Sequence, residues 1–147
     1  MTGAMSEARG AVQSARALRS LFQELFTLSQ RQMELLDSED FHGLGDVMNR
    51  KAALLQMVPP AVAMCREHGW ELDQPSTYPA SGPAAGWMRE AADMAIRFRA
   101  HEKYCLGEMI ALRSRIGERM ASLQGKRNAA AGYRVPLTRG NMVDAAR

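Results

Sequence analysis

Apolar residues in this chain recur in alternating steps of three and four, and only a helix gathers such positions on one face. The longest series is Ala91, Met94, Phe98, His101 or Glu102, Cys105, Met109, Leu112, Ile116, Met120 and Leu123, which predicts a helix over 84–124. An earlier series, Leu18, Leu21, Leu25, Leu28, Gln32 and Leu35, extends back through Ser14 and Ala11 and predicts a helix over 6–37. Phe22, Phe26, Met33 and Leu36 widen this seam beyond a two-stranded stripe, so the helix should touch more than one neighbour. At 1.5 Å per residue the last helix would reach roughly 60 Å and the first roughly 48 Å. The last helix is thus expected to outrun its partners and leave apolar surface uncovered at one end.

Between these two lies a third pattern. Asp37-Ser38-Glu39-Asp40 supplies capping side chains, after which Leu44, Val47, Lys51, Leu54, Leu55 and Val58 follow at helical spacing. A helix over 41–68 is predicted, weakened at its start by Gly43 and Gly45 and kinked or broken at Pro59-Pro60, because proline removes a backbone donor and crowds the preceding turn. The Pro- and Gly-rich stretch from Gly69 to Gly86 is expected to hold no regular element and to be protease-sensitive near 70–84. Its Trp70 and Tyr78 either pack back onto the bundle end or serve recognition. The fold class is therefore all-α, an antiparallel bundle of about three long helices over 1–125, followed by a flexible basic tail over 126–147.

Composition supports this. The 147 residues are 46% hydrophobic but only 6% aromatic, and they favour Ala, Leu, Met, Arg, Glu and Gln over β-branched types. No secretory leader and no apolar run of bilayer length stands out, so a soluble, cytoplasmic protein is expected. Two cysteines are too few for a disulfide framework and are read as thiols. The formal charge of +3 is unevenly spread: residues 1–73 carry seven Lys/Arg against ten Asp/Glu, and residues 74–147 carry twelve against six. Such a half either attracts an acidic partner or nucleic acid, or simply solvates outer helix faces.

Catalytic chemistry finds few candidates. Cys65-x-x-His68 and His101-x-x-x-Cys105 each lie on one helical face, but antiparallel packing would separate the pairs by roughly 22 Å, which argues against a shared zinc. No nucleophile motif, phosphate loop or dinucleotide fingerprint occurs. Glu90, Asp93 and Glu102 do not reproduce a di-iron pattern and are read as solvated faces. No enzyme activity, metal, cofactor or small-molecule substrate is expected.

Surface binding remains. Eleven methionines include Met88, Met94, Met109 and Met120 on the last predicted helix, and flexible thioethers let an apolar face adapt to different helical segments. Met109, Leu112, Ile116, Met120 and Leu123 are the nominated client-binding residues, with internal core as the competing reading.

The segments LLDSEDFHGLGDVMNRKAALLQMV and EKYCLGEMIALRSRIGERMASLQGKRNAAAGY resemble the FlgN family of flagellar type III export chaperones. In that family an acidic turn leads into a helix carrying a Lys and paired leucines, matched by Lys51, Leu54 and Leu55. A leucine-rich helix then passes through a small basic segment to an aromatic residue, matched by Leu123, Lys126, Arg127 and Tyr133. The resemblance implies capture of hook-filament junction proteins before secretion and delivery to the cytoplasmic domain of the export gate. Tyr133, with Lys126, Arg127 and Arg134, would contact the gate, an aromatic ring docking while cations steer the encounter. Folding back of Tyr133 onto the bundle is the alternative. No stable nucleic-acid binding and no membrane embedding are expected. Another helical adaptor or coiled-coil scaffold, including a weak nucleic-acid binder, is the runner-up.

Overall fold

A computed structural model describes the backbone of residues 2–145 and the side-chain environments of residues 3 and 5–132. Its helices are α1 (Thr2–Asp37), α2 (Phe41–Glu67) and α3 (Pro83–Ala145). Among the described residues there is no strand, only an isolated bridge between Glu71 and Gln74. The all-α bundle expected from the periodicity is the observed fold. The chain divides into two units, Met1–Leu106 and Gly107–Arg147.

In the first unit α1 and α2 are joined by the tight turn at Ser38–Asp40. Asp40 caps α2, its carboxylate accepting from the Gly43 amide at 3.0 Å, and Glu39 makes the reversal by taking a positive φ of 56°. The α1–α3 contacts climb together along both helices: Arg19 meets Glu90, Phe22 meets Phe98, Phe26 meets His101 and Ser29 meets Glu102. α1 and α3 therefore run parallel, and α2 returns between them. Ala15, Leu18, Phe22 and Leu25 pack on Leu54 and Cys65 of α2 and on Met88, Ala91 and Phe98 of α3. Leu18, Leu25 and Met88 are fully buried, and each such side chain contributes about 1.5–3 kcal/mol by leaving water.

The helix boundaries refine the sequence reading in three places. α2 is a single helix through Pro59 and Pro60, not two. Both prolines face solvent, so their missing donors leave acceptors that water satisfies. The connection after α2 is more ordered than its composition suggests. It holds a short 3-10 turn at Pro75–Thr77, and the Thr77 hydroxyl accepts from the Glu71 amide at 2.8 Å and donates to the Gln74 carbonyl at 2.7 Å. Trp70 is buried against His68, with ring centroids 4.9 Å apart, and the Tyr78 hydroxyl donates to the Leu72 carbonyl. The two aromatics thus pack back onto the bundle.

α3 does not stop at 124. Its backbone stays helical through Gly125 and the segment Lys126–Ala131, where alanine and basic residues of good helix propensity outweigh one glycine. In the second unit every described residue from 113 to 132 is exposed. The backbone of the tail expected over 126–147 is helical as far as Ala145, and its side chains are described to residue 132.

Candidate functional site

A helix that exposes large apolar side chains along one face is incomplete by itself, because an amphipathic stripe is stabilised by what it packs on. The second unit carries such a stripe. Of the five nominated client-binding residues, Leu112 is buried and Met109 half-buried, whereas Ile116 is 37%, Met120 65% and Leu123 60% exposed. The stripe therefore splits between two less exposed members at its start and three exposed ones at its end. Arg113, Arg115, Lys126 and Arg127 are exposed on the same helix segment. Of the nominated gate-binding residues, Lys126 and Arg127 sit on that exposed helix; Tyr133 and Arg134 lie outside the described side chains.

The first unit contains a polar layer across all three helices. Lys51 of α2 is buried and donates to Gln32 Oε1 of α1 at 2.7 Å, and its ammonium also pairs with Glu102 Oε1 of α3. The Ser29 hydroxyl of α1 donates to the same Glu102 oxygen. Gln32 and Lys51 occupy seam positions of their helices and Ser29 is fully buried, so the layer interrupts an otherwise apolar core. Glu102, expected as a solvated side chain, is instead two-thirds covered, where it pairs with the charge of the buried lysine. Glu90 and Asp93 are exposed, as expected, and Glu90 pairs with Arg19 at 3.2 Å.

Beside this layer the Cys105 thiol lies 3.3 Å from His101 Nδ1 and donates to the Ser29 carbonyl at 3.6 Å. The thiol is buried, and burial is the main influence pushing its pKa up, with the nearby Lys51 charge opposing. A thiol so held is protonated at neutral pH, the reverse of what nucleophilic catalysis requires. Cys65 is also free and buried, its pKa raised by burial. It packs in the core with Leu54 and Trp70 while His68 turns outward, so the two Cys/His pairs do not meet. Among the described residues no group of three or more His, Cys, Asp or Glu side chains is placed to hold a metal ion. Nor is any described helix long and apolar enough to cross a membrane.

A further surface escaped the sequence reading. α2 and α3 leave a groove of roughly 680 Å³ between them, floored by Leu55, Val58, Val62, Ala92, Ile96 and Phe98. Its signal was present as a second stripe on α3, Ala92, Ile96, Arg99, Lys103 and Leu106, running beside the main seam. Two basic positions inside that stripe hid it from an apolar count. No protein-family model, no curated protein and no solved structure matches this chain.

Proposed function

We propose that this chain is an export chaperone of the FlgN type, which binds hook-filament junction proteins in the cytoplasm and delivers them to the flagellar type III export gate. The observation that carries this reading is the exposed stripe Ile116, Met120 and Leu123 on a helix segment whose described residues from 113 to 132 are all exposed. A client helix laid along it would bury anchors at three- and four-residue intervals, each contributing about 1.5–3 kcal/mol. Release at the gate calls for a second contact segment, assigned by the resemblance to Tyr133 with Lys126, Arg127 and Arg134. Binding without catalysis, metal or cofactor accords with a protonated Cys105 thiol and with seams spent on packing.

Calorimetric titration of the purified chain with hook-filament junction proteins tests this. Ile116→Glu and Met120→Glu should keep the helical circular dichroism and lose binding. Failure of the wild-type chain to bind any junction protein ends the proposal. The runner-up, a helical adaptor with weak nucleic-acid affinity, rests on the basic surface of the same segment: five Lys/Arg against two Glu over residues 107–132. It predicts duplex DNA binding that weakens steeply as salt rises.

A further inference from the structure

In a three-helix arrangement each helix can present one seam to the core and a second to whatever fills the next gap. The first unit shows this on two adjacent helices. On α3, Ala92, Ile96, Arg99, Lys103 and Leu106 follow in steps of four and three; on α2, Met48, Ala52, Leu55, Pro59, Val62 and Arg66 do the same. The groove lies between these stripes. Leu55 is 41%, Ile96 68% and Leu106 61% exposed, although each belongs to a coiled-coil-like repeat.

Charge says what would cover them. Arg99 lines the groove and Lys103 continues its stripe, and neither has an ion-pair partner among the described residues. Glu102, the carboxylate nearest in sequence to both, is committed to Lys51. Arg66 is committed to Glu71 at 3.0 Å, which leaves Asp73 as the free carboxylate at the loop end of the groove. An apolar floor with an unneutralised Arg99 in one wall, and Lys103 beyond it on the same stripe, fits an amphipathic helix with carboxylates flanking its apolar stripe. A second copy of this chain is a poor match, because its exposed stripe at Ile116 and Met120 is flanked by Arg113 and Arg115.

We propose that the α2–α3 groove binds an acidic amphipathic helix of a partner protein, seated as a fourth helix with its apolar stripe on Leu55 and Ile96 and its carboxylates on Arg99 and Lys103. The Asp73 end faces the positive N-terminal end of the incoming helix, which sets it parallel to α3. The site draws on residues of the first unit only and does not depend on the chaperone reading.

Fluorescence anisotropy with the full chain tests it, using two labelled designed helical peptides of equal leucine pattern, one flanked by Glu and one by Lys. The acidic peptide should bind at least about tenfold tighter than the basic one. Ile96→Glu should cost about tenfold or more. The pair Arg99→Glu with Lys103→Glu should reverse the preference between the peptides without loss of helical circular dichroism. Unaltered preference in that double variant overturns the proposal, as does wild-type affinity in Ile96→Glu. A loss of binding produced by Ile116→Glu but not by Ile96→Glu would move the peptide to the second unit and equally overturn it. So would a sedimentation dimer abolished by Ile96→Glu, since the groove would then be a self-interface.

Discussion

Lys51 and Glu102 form an ion pair inside the bundle whose two ends are both held from α1, the ammonium by Gln32 and the carboxylate by Ser29. One polar layer thus joins three helices at one level. Such a layer costs desolvation and gains specificity, because sliding any helix by one turn would strand a charge in an apolar environment. Removing a single partner should therefore be worse than removing both. Lys51→Met is expected to destabilise by about 2–3 kcal/mol, below the ~3–5 kcal/mol of fully buried pairs because Glu102 keeps a third of its exposure. Lys51→Met with Glu102→Leu should recover most of that loss in urea unfolding. A double variant as unstable as the sum of the singles would show that the pair carries no coupling.

The start of α2 gives a second expectation, in which two glycines two residues apart respond oppositely to alanine. A Cβ at Gly45 meets nothing within 4 Å, so Gly45→Ala should stabilise by about 0.5–1 kcal/mol through helix propensity. At Gly43 the same atom would lie 2.8 Å from the Asp40 carboxylate and 3.1 Å from the Leu35 side chain. Gly43→Ala must push the capping group off the Gly43 amide, and the ~1 kcal/mol of a lost cap cancels the propensity gain or exceeds it. Thermal melts of the two variants check the contrast. Equal upward shifts would mean that the cap adjusts freely.

These two sites show what the sequence disclosed and what it withheld. Three-four spacing located every helix, and Asp40 announced its cap, because both depend on residues near in sequence. Gln32 and Lys51 also stood out as seam positions, whereas Glu102 shared its place with His101 and reads as a solvated face. The partnership of the three did not stand out, since it depends on the relative register of three helices, and Ser29 carried no signal because small polar residues are common on helix flanks. Pro59-Pro60 misled for a different reason. A proline penalty read locally assumes that the freed acceptors are buried, whereas these lie where water reaches. The groove was hidden by Arg99 and Lys103, which interrupt an apolar stripe that only the packed α2 reveals.

The cysteines yield a pH dependence. Both thiols have pKa values raised above the ordinary 9.0, in each case chiefly by burial. Their folded forms therefore hold protons that the unfolded chain releases first. Stability from this source is complete below pH 9.0 and falls as pH rises past it toward the folded values, the slope following the protons lost on unfolding. Melts from pH 7 to 10.5 should decline in the upper range, and Cys65→Ala with Cys105→Ala should flatten that decline while lowering the midpoint at pH 7 through lost packing. A thiol reagent should react with neither cysteine until the chain unfolds, each being 1% exposed.

The last expectation concerns the exposed part of α3. Isolated helices are marginal in water below about 12–15 residues, and longer ones depend on propensity once tertiary packing is absent. Residues 113–132 are all exposed, so their helix is supported by backbone bonds, a few side-chain pairs such as Gln124 with Asn128 at 3.4 Å, and the alanines after Arg127. Residues 84–105 instead contribute Met88, Ala91, Phe98 and Cys105 to burial. Amide exchange should accordingly be fast through 113–132 and slow at Met88–Cys105, with a protection difference of at least about a hundredfold. A bound client helix covering Ile116, Met120 and Leu123 adds the missing face, and exchange across 113–123 should slow by the factor that binding energy supplies. Protection of 113–123 in the free chain equal to that of Met88–Cys105 would show that the stripe is already covered, and a client could then reach it only by displacing what covers it.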